Sequence, residues 1–335
     1  MSCNRPSEEP NPLEEESDGL FYQPDNFPSA SYDFKNNPVT IQGFELGRKL
    51  FYDGRISRDG TISCAECHSQ SYAFTHHGHT LSHGIDDRVG KRNAPSIQNT
   101  AFMKSFFWDG GVFDLDFLSV APITNPLEMD EEVGNVLKKL KSTAGYPELF
   151  EKAYGGSEIT TERFLKALSQ FMNSLVSANS KYDKYVRKEK GGGFTPQEIA
   201  GLSTFKSKCA SCHATDLFTD GSYRNNGLAI YERDLDVGRY LITENENDKY
   251  KFKVPSLRNM EYTSPYMHDG RFINLTMVLE HYANGVEDSK TLDSELKKDS
   301  KLGISLSEEE KLNIKAFLKT LSDPTFISQA AYAAP

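Results

Sequence analysis

The sequence has no long apolar run, few strand signals, only five cysteines and fewer basic than acidic residues. No apolar run approaches the roughly 20 residues that cross a bilayer. The 38 Lys and Arg against 48 Asp and Glu give a net charge of −10, which argues against nucleic acid as a partner. The scarcity of strand signals predicts a mainly α fold. At 335 residues, of which 37% are hydrophobic, the chain is long enough for two domains with their own cores.

Four of the five cysteines stand in two copies of Cys-x-x-Cys-His, at 64–68 and 209–213. Two thiols one helical turn apart can both add to the vinyl groups of one porphyrin, while the adjacent imidazole reaches the iron. A four-cysteine zinc site is the alternative, but zinc ribbons separate their cysteine pairs by a short stretch. The sequence therefore predicts two covalently bound c-type haems. The attaching residues are Cys64, Cys67, Cys209 and Cys212, and the proximal iron ligands are His68 and His213.

The fifth cysteine, Cys3, precedes an acidic, proline-rich stretch. Haem attachment to such motifs implies an exported protein, although residues 1–18 show no signal peptide. Cys3 is typical of a mature lipoprotein end that carries lipid on a flexible tether; the alternative is a stray thiol in a disordered tail. We therefore predict a periplasmic protein, free or membrane-tethered on the periplasmic side, with residues 1–37 as a flexible tail.

A second pattern recurs downstream of each haem motif. Asn-Ala-Pro-Ser-Ile-Gln-Asn at 93–99 is echoed by Lys-Val-Pro-Ser-Leu-Arg-Asn at 253–259. Trp-Asp-Gly at 108–110 is echoed in the same register by His-Asp-Gly at 268–270. This common register predicts two cytochrome c-like haem domains related by internal duplication.

The repeat and the composition also predict the domain boundaries. We place an N-terminal haem domain at 38–187 and a C-terminal haem domain at 188–326, with the three glycines at 191–193 as a hinge. Apolar periodicity and capping boxes predict the longer helices. These predicted helices cover 41–51, 132–141, 161–177, 307–321 and a segment that runs from Pro196 toward Cys209.

The order and spacing of these motifs resemble those of the di-haem bacterial cytochrome c peroxidases and their relative MauG. The matching segments are Leu-Gly-Arg-Lys-Leu-Phe at 46–51, the first haem motif, Arg-Asn-Ala-Pro at 92–95, Trp-Asp-Gly at 108–110, Glu-Met at 128–129, the second haem motif, Val-Pro-Ser-Leu-Arg-Asn at 254–259 and Pro-Tyr-Met-His-Asp-Gly at 265–270. The resemblance covers about residues 40–325. It implies a peroxidatic haem in the N-terminal half, an electron-transfer haem in the C-terminal half and a calcium ion between them.

The resemblance also bears on the far side of each iron. Tyr282, fourteen residues after His268, stands where peroxidases of the family place methionine and MauG places tyrosine. A phenolate ligand would lower the potential of the second iron. His281 is a rival ligand, and a tyrosine in an amphipathic helix is otherwise a core residue. The equivalent position in the first half, fourteen residues after Trp108, is Pro122, which cannot ligate iron and so predicts an open face for peroxide.

Glu128 matches the family's distal acid, which moves a proton from the inner to the outer peroxide oxygen. The alternative is a helix-start acid that complements the helix dipole. One departure from the family is Leu118, which stands at the position of a distal glutamine and cannot hydrogen-bond peroxide. His83 aligns with the loop histidine that caps the peroxidatic haem in peroxidases requiring prior reduction. Three other histidines crowd the same loop: His76, His77 and His79.

Two further assignments follow from the resemblance. Trp108, the sole tryptophan, occupies a family position between the haems, where an oxidisable indole could relay an electron; the alternative is packing. Asn93, Thr263 and Pro265 fall on the calcium-binding positions and offer one side-chain amide and two backbone carbonyls, which suit a hard cation. The alternative for Asn93 is that it stabilises its turn.

Together these residues predict a dihaem peroxidase that reduces hydrogen peroxide to water with electrons from a small cytochrome c or cupredoxin. The negative net charge suits a basic donor. Two alternatives stay open. A MauG-like oxidase acting on side chains of a partner protein is favoured by Tyr282. A plain electron-carrying cytochrome has no use for an open iron beside Glu128.

Overall fold

The computed structural model describes residues 20–76, 78–230, 235–298 and 300–335, so Cys3 and His77 lie outside the described residues. The described chain is mainly helical, which confirms the predicted class. Its α-helices are α1 (Ile41–Phe51), α2 (Cys64–Cys67), α3 (Leu115–Leu118), α4 (Val120–Thr124), α5 (Val133–Ser142), α6 (Tyr146–Tyr154), α7 (Thr161–Ser174), α8 (Lys181–Val186), α9 (Pro196–Lys208), α10 (Tyr240–Thr243), α11 (Leu275–Glu280), α12 (Glu308–Lys319) and α13 (Pro324–Ser328).

Shorter elements connect these helices. A π-helical turn (His281–Gly285) continues α11. Two antiparallel pairs of short strands join β1 (Tyr223–Arg224) to β2 (Phe252–Lys253) and β3 (Lys297–Lys298) to β4 (Lys301–Leu302). The 3₁₀ turns are Gly54–Ile56, Gln70–Tyr72, Ile85–Asp87, Thr100–Phe102, Glu246–Asp248, Ser294–Leu296 and Ala330–Tyr332. Within the described ranges, no helix is long and apolar enough to cross a membrane.

Local capping explains why the helix starts were predictable. Helix α9 begins at Pro196 behind a capping box of Thr195 and Glu198, and α12 begins behind a second capping box. Helix α7 ends at Ser174 rather than at the predicted 177. The reason is a long-range bond: the side-chain oxygen of Asn99 accepts the N–H of Ser177 at 2.8 Å and draws this segment out of the helix.

Each half is built on one pair of crossing helices. Helix α1, which leads toward the first haem motif, packs on α7, and α9, which leads into the second motif, packs on α12. The crossings need glycine: a Cβ at Gly47 would lie 1.9 Å from the carbonyl oxygen of Ala167, and one at Gly201 would lie 2.0 Å from that of Asn313. Close backbone approach therefore excludes a side chain at these two positions.

In each half, an asparagine side chain accepts a backbone N–H from the segment just after the second helix of the pair. The side chain of Asn99 holds the segment after α7 through Ser177, and the side chain of Asn259 accepts the N–H of Asp323, after α12, at 2.8 Å. Both asparagines are buried and have φ values of 56° and 59°. These matched contacts fix the two Pro-Ser segments, at 95–96 and 255–256, against the helix pair of their own half.

The chain passes from one core to the other earlier than the predicted boundary at 188. Tyr182 of α8 already belongs to the second core. The glycines at 191–193 are not an open hinge, since a Cβ at Gly192 would lie 2.3 Å from the backbone of Lys184. At the other end, Phe326 packs in the first core, and the hydroxyl of Tyr52 donates to the carbonyl of Tyr332 at 2.8 Å. The start of the second half thus already packs in the second core, and the end of the chain packs back on the first core.

The tail prediction is wrong for residues 20–37, which pack along the junction of the halves. Phe27 is only 7% exposed and lies in a small cluster with Ala101 and Leu217. Asn26 donates to Asp183 at 3.0 Å, and the hydroxyl of Tyr32 donates to Asp116 at 2.6 Å. Composition alone could not reveal this packing, because the few apolar residues of the segment gain their partners only from distant parts of the chain.

A buried ion pair joins Arg258, in the segment before the second aromatic turn, to Asp183 of α8. Both side chains are 0% exposed, and the two guanidinium nitrogens donate to the carboxylate at 2.7 and 2.9 Å. Burial alone would raise the pKa of Asp183, but the bonds and charge of Arg258, together with bonds from Ser180 and Asn26, more than offset this, so the pKa lies below its usual range.

We expect R258M to lower the free energy of unfolding by about 3–5 kcal/mol, because it leaves the Asp183 carboxylate buried and unpaired. The contribution is present at neutral pH and is lost as pH falls below the usual carboxyl range through the folded pKa. Denaturant unfolding followed by circular dichroism measures both effects. R55M is the matched control, since the Arg55 side chain is 55% exposed and its pair with Asp53 should contribute about 1 kcal/mol or less. Equal losses in the two variants would contradict this assignment.

Candidate haem site

A single cavity of about 1910 Å³ runs between the two halves. This volume exceeds the roughly 300–1,000 Å³ of an ordinary small-molecule pocket and is large enough for more than one bulky group. Both Cys-x-x-Cys-His motifs contribute to its wall. The contributing residues are Cys64, Cys67, His68, Cys209, Cys212 and His213.

The two motif histidines have the same environment. The Nδ1 of His68 lies 2.9 Å from the carbonyl oxygen of Phe74, and that of His213 lies 3.1 Å from the carbonyl oxygen of Phe218. Because a carbonyl only accepts, Nδ1 carries the hydrogen and Nε2 keeps its lone pair. Burial lowers the pKa of His68 to about 4 and also lowers that of His213, so both rings are neutral. A neutral imidazole with a fixed tautomer is what an iron ligand requires.

The cysteine pairs fit haem attachment and not zinc. All four thiols are free, and the N–H of each motif histidine donates to the carbonyl of the first cysteine, at 2.9 Å for Cys64 and 3.0 Å for Cys209. One helical turn thus brings the two thiols of a pair to one side. Among the described residues, no group of three or more His, Cys, Asp or Glu side chains is placed to hold a metal ion, so the pairs do not converge as a zinc site would require.

Glu128 lies on the cavity wall of the first half together with Leu118 and Pro122. It is not in the first turn of a helix, since α5 begins only at Val133. Burial raises the pKa of Glu128, and a hydrogen bond from Asn125 Nδ2 to its Oε1, at 2.8 Å, opposes the rise. The site therefore places one titratable carboxyl beside a proline and a leucine that offer no ligand or donor.

Tyr282 and His281 occupy the π-helical turn, a distortion that is frequent at functional sites. Tyr282 lines the cavity, and burial raises the pKa of its phenol to about 12. His281 is only 6% exposed, and its Nε2 lies 3.0 Å from the carbonyl oxygen of Asn226. His281 is not among the described residues that line the cavity. The turn thus directs Tyr282, rather than its neighbour, toward the second haem motif.

The loop that carries His83 is fastened to Glu128. The N–H of Ile85 donates to the carbonyl of Glu128 at 2.8 Å, and a Cβ at Gly84 would lie 2.5 Å from the Cα of Glu128. His83 lines the cavity, and its ring stacks on His79 with centroids 4.3 Å apart. The backbone that follows His83 is therefore packed directly on that of Glu128.

Trp108 and Asn93, one of the three predicted calcium positions, are in contact between the halves. The indole N–H donates to the carbonyl of Asn93 at 2.8 Å, and the N–H of Asn93 donates to the carbonyl of His268 at 2.7 Å. The Asn93 amide donates to the carbonyl of Thr80 at 3.1 Å, which leaves the side-chain oxygen as an acceptor. Asn93, Thr263 and Pro265 all line the cavity.

Two cavity residues escaped sequence prediction. Asn125 is bonded to Glu128, and Lys253 lies beside Trp108. The sequence pointed only weakly to Asn125, through its position three residues before the candidate acid. It pointed weakly to Lys253 as well, since Lys253 occupies the position in the repeat that corresponds to Asn93.

Comparisons with known proteins agree on one family. A sequence model of the di-haem cytochrome c peroxidases matches residues 41–191. The methylamine utilization protein MauG of Methylorubrum extorquens is 35% identical over 92% of this chain and 85% of its own. Cytochrome c551 peroxidase of Nitrosomonas europaea is 37% identical over 85% of this chain and 81% of its own. A solved MauG-like protein associated with microbial copper homeostasis superposes with a TM-score of 0.84 at 30% identity, over 93% of this chain and 98% of its own.

Proposed function

The chain belongs to the di-haem cytochrome c peroxidase family, and from that premise we propose that it reduces hydrogen peroxide to water with electrons from a small redox protein. Family membership brings two c-type haems and an oxidoreductase activity. The observation that carries the proposal is the partly buried carboxyl of Glu128, whose pKa is raised by burial, on the cavity wall beside Pro122. A protein that only carried electrons would have no need of a proton-transfer group there.

The first half is proposed as the peroxidatic domain, with His68 as the proximal ligand and an open opposite face at Pro122. When bound, the haem irons supply the electron exchange with peroxide. Glu128 takes the proton of the inner peroxide oxygen and returns it to the outer oxygen as that oxygen leaves. Asn125 holds Oε1 by its 2.8 Å bond and leaves Oε2 for this transfer. Two protons and two electrons per peroxide give two waters.

The second half is proposed as the electron-transfer domain, with His213 and Tyr282 as its iron ligands and Trp108 as the relay between halves. The matched asparagine contacts and histidine environments support an origin of the two halves from one duplicated haem unit. A calcium ion at Asn93, Thr263 and Pro265 is part of the proposal, because all three residues lie on the cavity wall.

The cellular setting is also proposed. Covalent haem attachment to Cys-x-x-Cys-His and the family's peroxidases favour the periplasm. A small cytochrome c or a cupredoxin is the proposed donor, and its basic surface would complement the net charge of −10. Cys3 is the proposed point of lipid attachment.

A MauG-like oxidase is the second candidate. It is favoured by Tyr282, which the second half contributes to the cavity wall, and by the similarity to MauG of Methylorubrum extorquens. Such an enzyme would use peroxide to withdraw electrons from side chains of a partner protein.

The first test uses the fully oxidised holoprotein, a reduced small cytochrome c and hydrogen peroxide, followed optically without prior reduction of the enzyme. We expect peroxide-dependent oxidation of the cytochrome. Turnover without prior reduction would also remove His83 as an obligatory gate. A long-lived peroxide-induced haem spectrum without turnover would favour the oxidase, and no spectral response would contradict peroxide chemistry in the resting protein.

A further inference from the structure

Lys253 places a cation in the cavity wall at the junction of the two halves. It lies in β2, and its backbone N–H donates to the carbonyl of Trp108 at 2.7 Å. Its Nζ donates to the carbonyl of Ser105 at 2.8 Å. Both bonds reach from the second half to the first-half loop that carries Trp108, so the amine is held at a fixed point between the haem motifs.

Among the described residues, no carboxylate forms an ion pair with this amine. Its bonded partner, the Ser105 carbonyl, is neutral. The carboxylate of Asp109 acts on Lys253 only through its charge and is itself paired with Arg92, which also pairs with Asp236 at 2.6 Å. Burial accordingly lowers the pKa of Lys253 to about 8. Lys253 is only partly exposed, and a cation that is largely removed from water without a hydrogen-bonded carboxylate is costly. The site therefore favours an added anion.

The other cations of the cavity wall are already matched or exposed. Arg92, Arg224 and Arg271 pair with carboxylates, at 2.8 Å for Arg224 with Asp220. Lys208 pairs with Glu310 at 2.6 Å. Lys91 and Lys104 line the cavity but are exposed to solvent. Lys253 is therefore the place in the described wall where an added carboxylate would relieve a charge imbalance.

We propose that Lys253 is the counter-ion of a haem propionate. The cysteines fix the vinyl groups of each porphyrin and the motif histidine fixes its iron, so the propionates are the charged groups of the cofactor that still need partners. An ammonium–carboxylate hydrogen bond in this enclosed site is charge-assisted and strong. Because the same residue binds the carbonyl of Trp108, it would join one haem edge to the loop between the halves. The inference rests on the two haems and not on peroxide turnover.

The test compares the holoproteins of K253M, K253R and the control K104M by optical redox titration. A nearby positive charge favours the reduced haem, so K253M should lower the midpoint potential of one haem, and K253R should restore it. K104M removes the same charge at an exposed position and should leave both potentials close to wild type. Unchanged potentials in K253M, or an equal shift in K104M, would overturn the proposal.

Infrared redox difference spectra of protein carrying ¹³C-labelled haem propionates give a second readout. K253R exchanges ammonium for guanidinium and should shift the labelled carboxylate band, even if K253M does not accumulate as holoprotein. A labelled band identical in K253R and wild type would overturn the proposal. Neither measurement needs peroxide. A negative result here can therefore be distinguished from a failure of the proposed peroxidase activity.

Discussion

Glu128→Gln slows peroxide turnover by about 10²–10⁴-fold while both haems stay attached, because the amide cannot take up and return the peroxide proton. The glutamine is nearly isosteric and can still accept the bond from Asn125 through its carbonyl oxygen. Stopped-flow kinetics of the peroxide reaction, with haem content measured by absorbance, tests this expectation. Haem spectra before peroxide addition should match those of the wild type.

The pH profile separates a proton-transfer role from a structural one. Burial raises the pKa of Glu128, and the acid must start as carboxylate to accept a proton. Wild-type kcat/KM for peroxide should therefore rise with pH through an inflection above the ordinary glutamate value, and E128Q should lose that inflection. E132Q is the matched control, since Glu132 is an exposed acid of the same segment that stands at the N-cap position of α5 without a side-chain capping bond. Wild-type rates in E128Q, or the same loss in E132Q, would remove Glu128 from the chemistry.

Under the proposal that Tyr282 ligates the second iron, Tyr282→Phe should change the spectrum of that haem and raise its midpoint potential, because loss of a phenolate ligand would take electron density from the iron. Axial ligands set haem potentials over a range of about 0.8 V, so a shift on the order of 100 mV is expected. The phenol has a pKa of about 12 in the protein, raised by burial, so ferric iron would have to displace its proton on binding. Optical and electron paramagnetic resonance spectra at defined potentials measure these changes.

His281→Gln is the paired control for Tyr282. The imidazole Nε2 is committed to the carbonyl of Asn226, and a glutamine amide can donate to the same carbonyl. H281Q should therefore keep the wild-type ligand spectrum. A changed second-haem spectrum in H281Q together with an unchanged one in Y282F would make His281 the ligand.

Features that depend on neighbours along the chain were predictable. Residue identity and spacing within five positions define the two haem attachment motifs, and a family with two c-type haems confirms their interpretation. The starts of α9 and α12 follow from capping boxes, in which the partners are three residues apart. The register shared by the Pro-Ser segments and aromatic turns also needs only the sequence. These contacts are short-range, so a pattern in the chain is sufficient to specify them.

Only the tertiary structure decided the features that depend on distant contacts. The Nε2 of His281 is hydrogen-bonded to the carbonyl of Asn226, more than fifty residues away along the chain, while Tyr282 lies on the cavity wall. The packing of residues 20–37 comes from partners such as Asp183, and the early end of α7 comes from Asn99. The lowered pKa of Lys253 and the raised pKa of Glu128 likewise arise from surroundings assembled by folding. Burial and charge matching are properties of the packed whole, so residue type and spacing alone could not determine them.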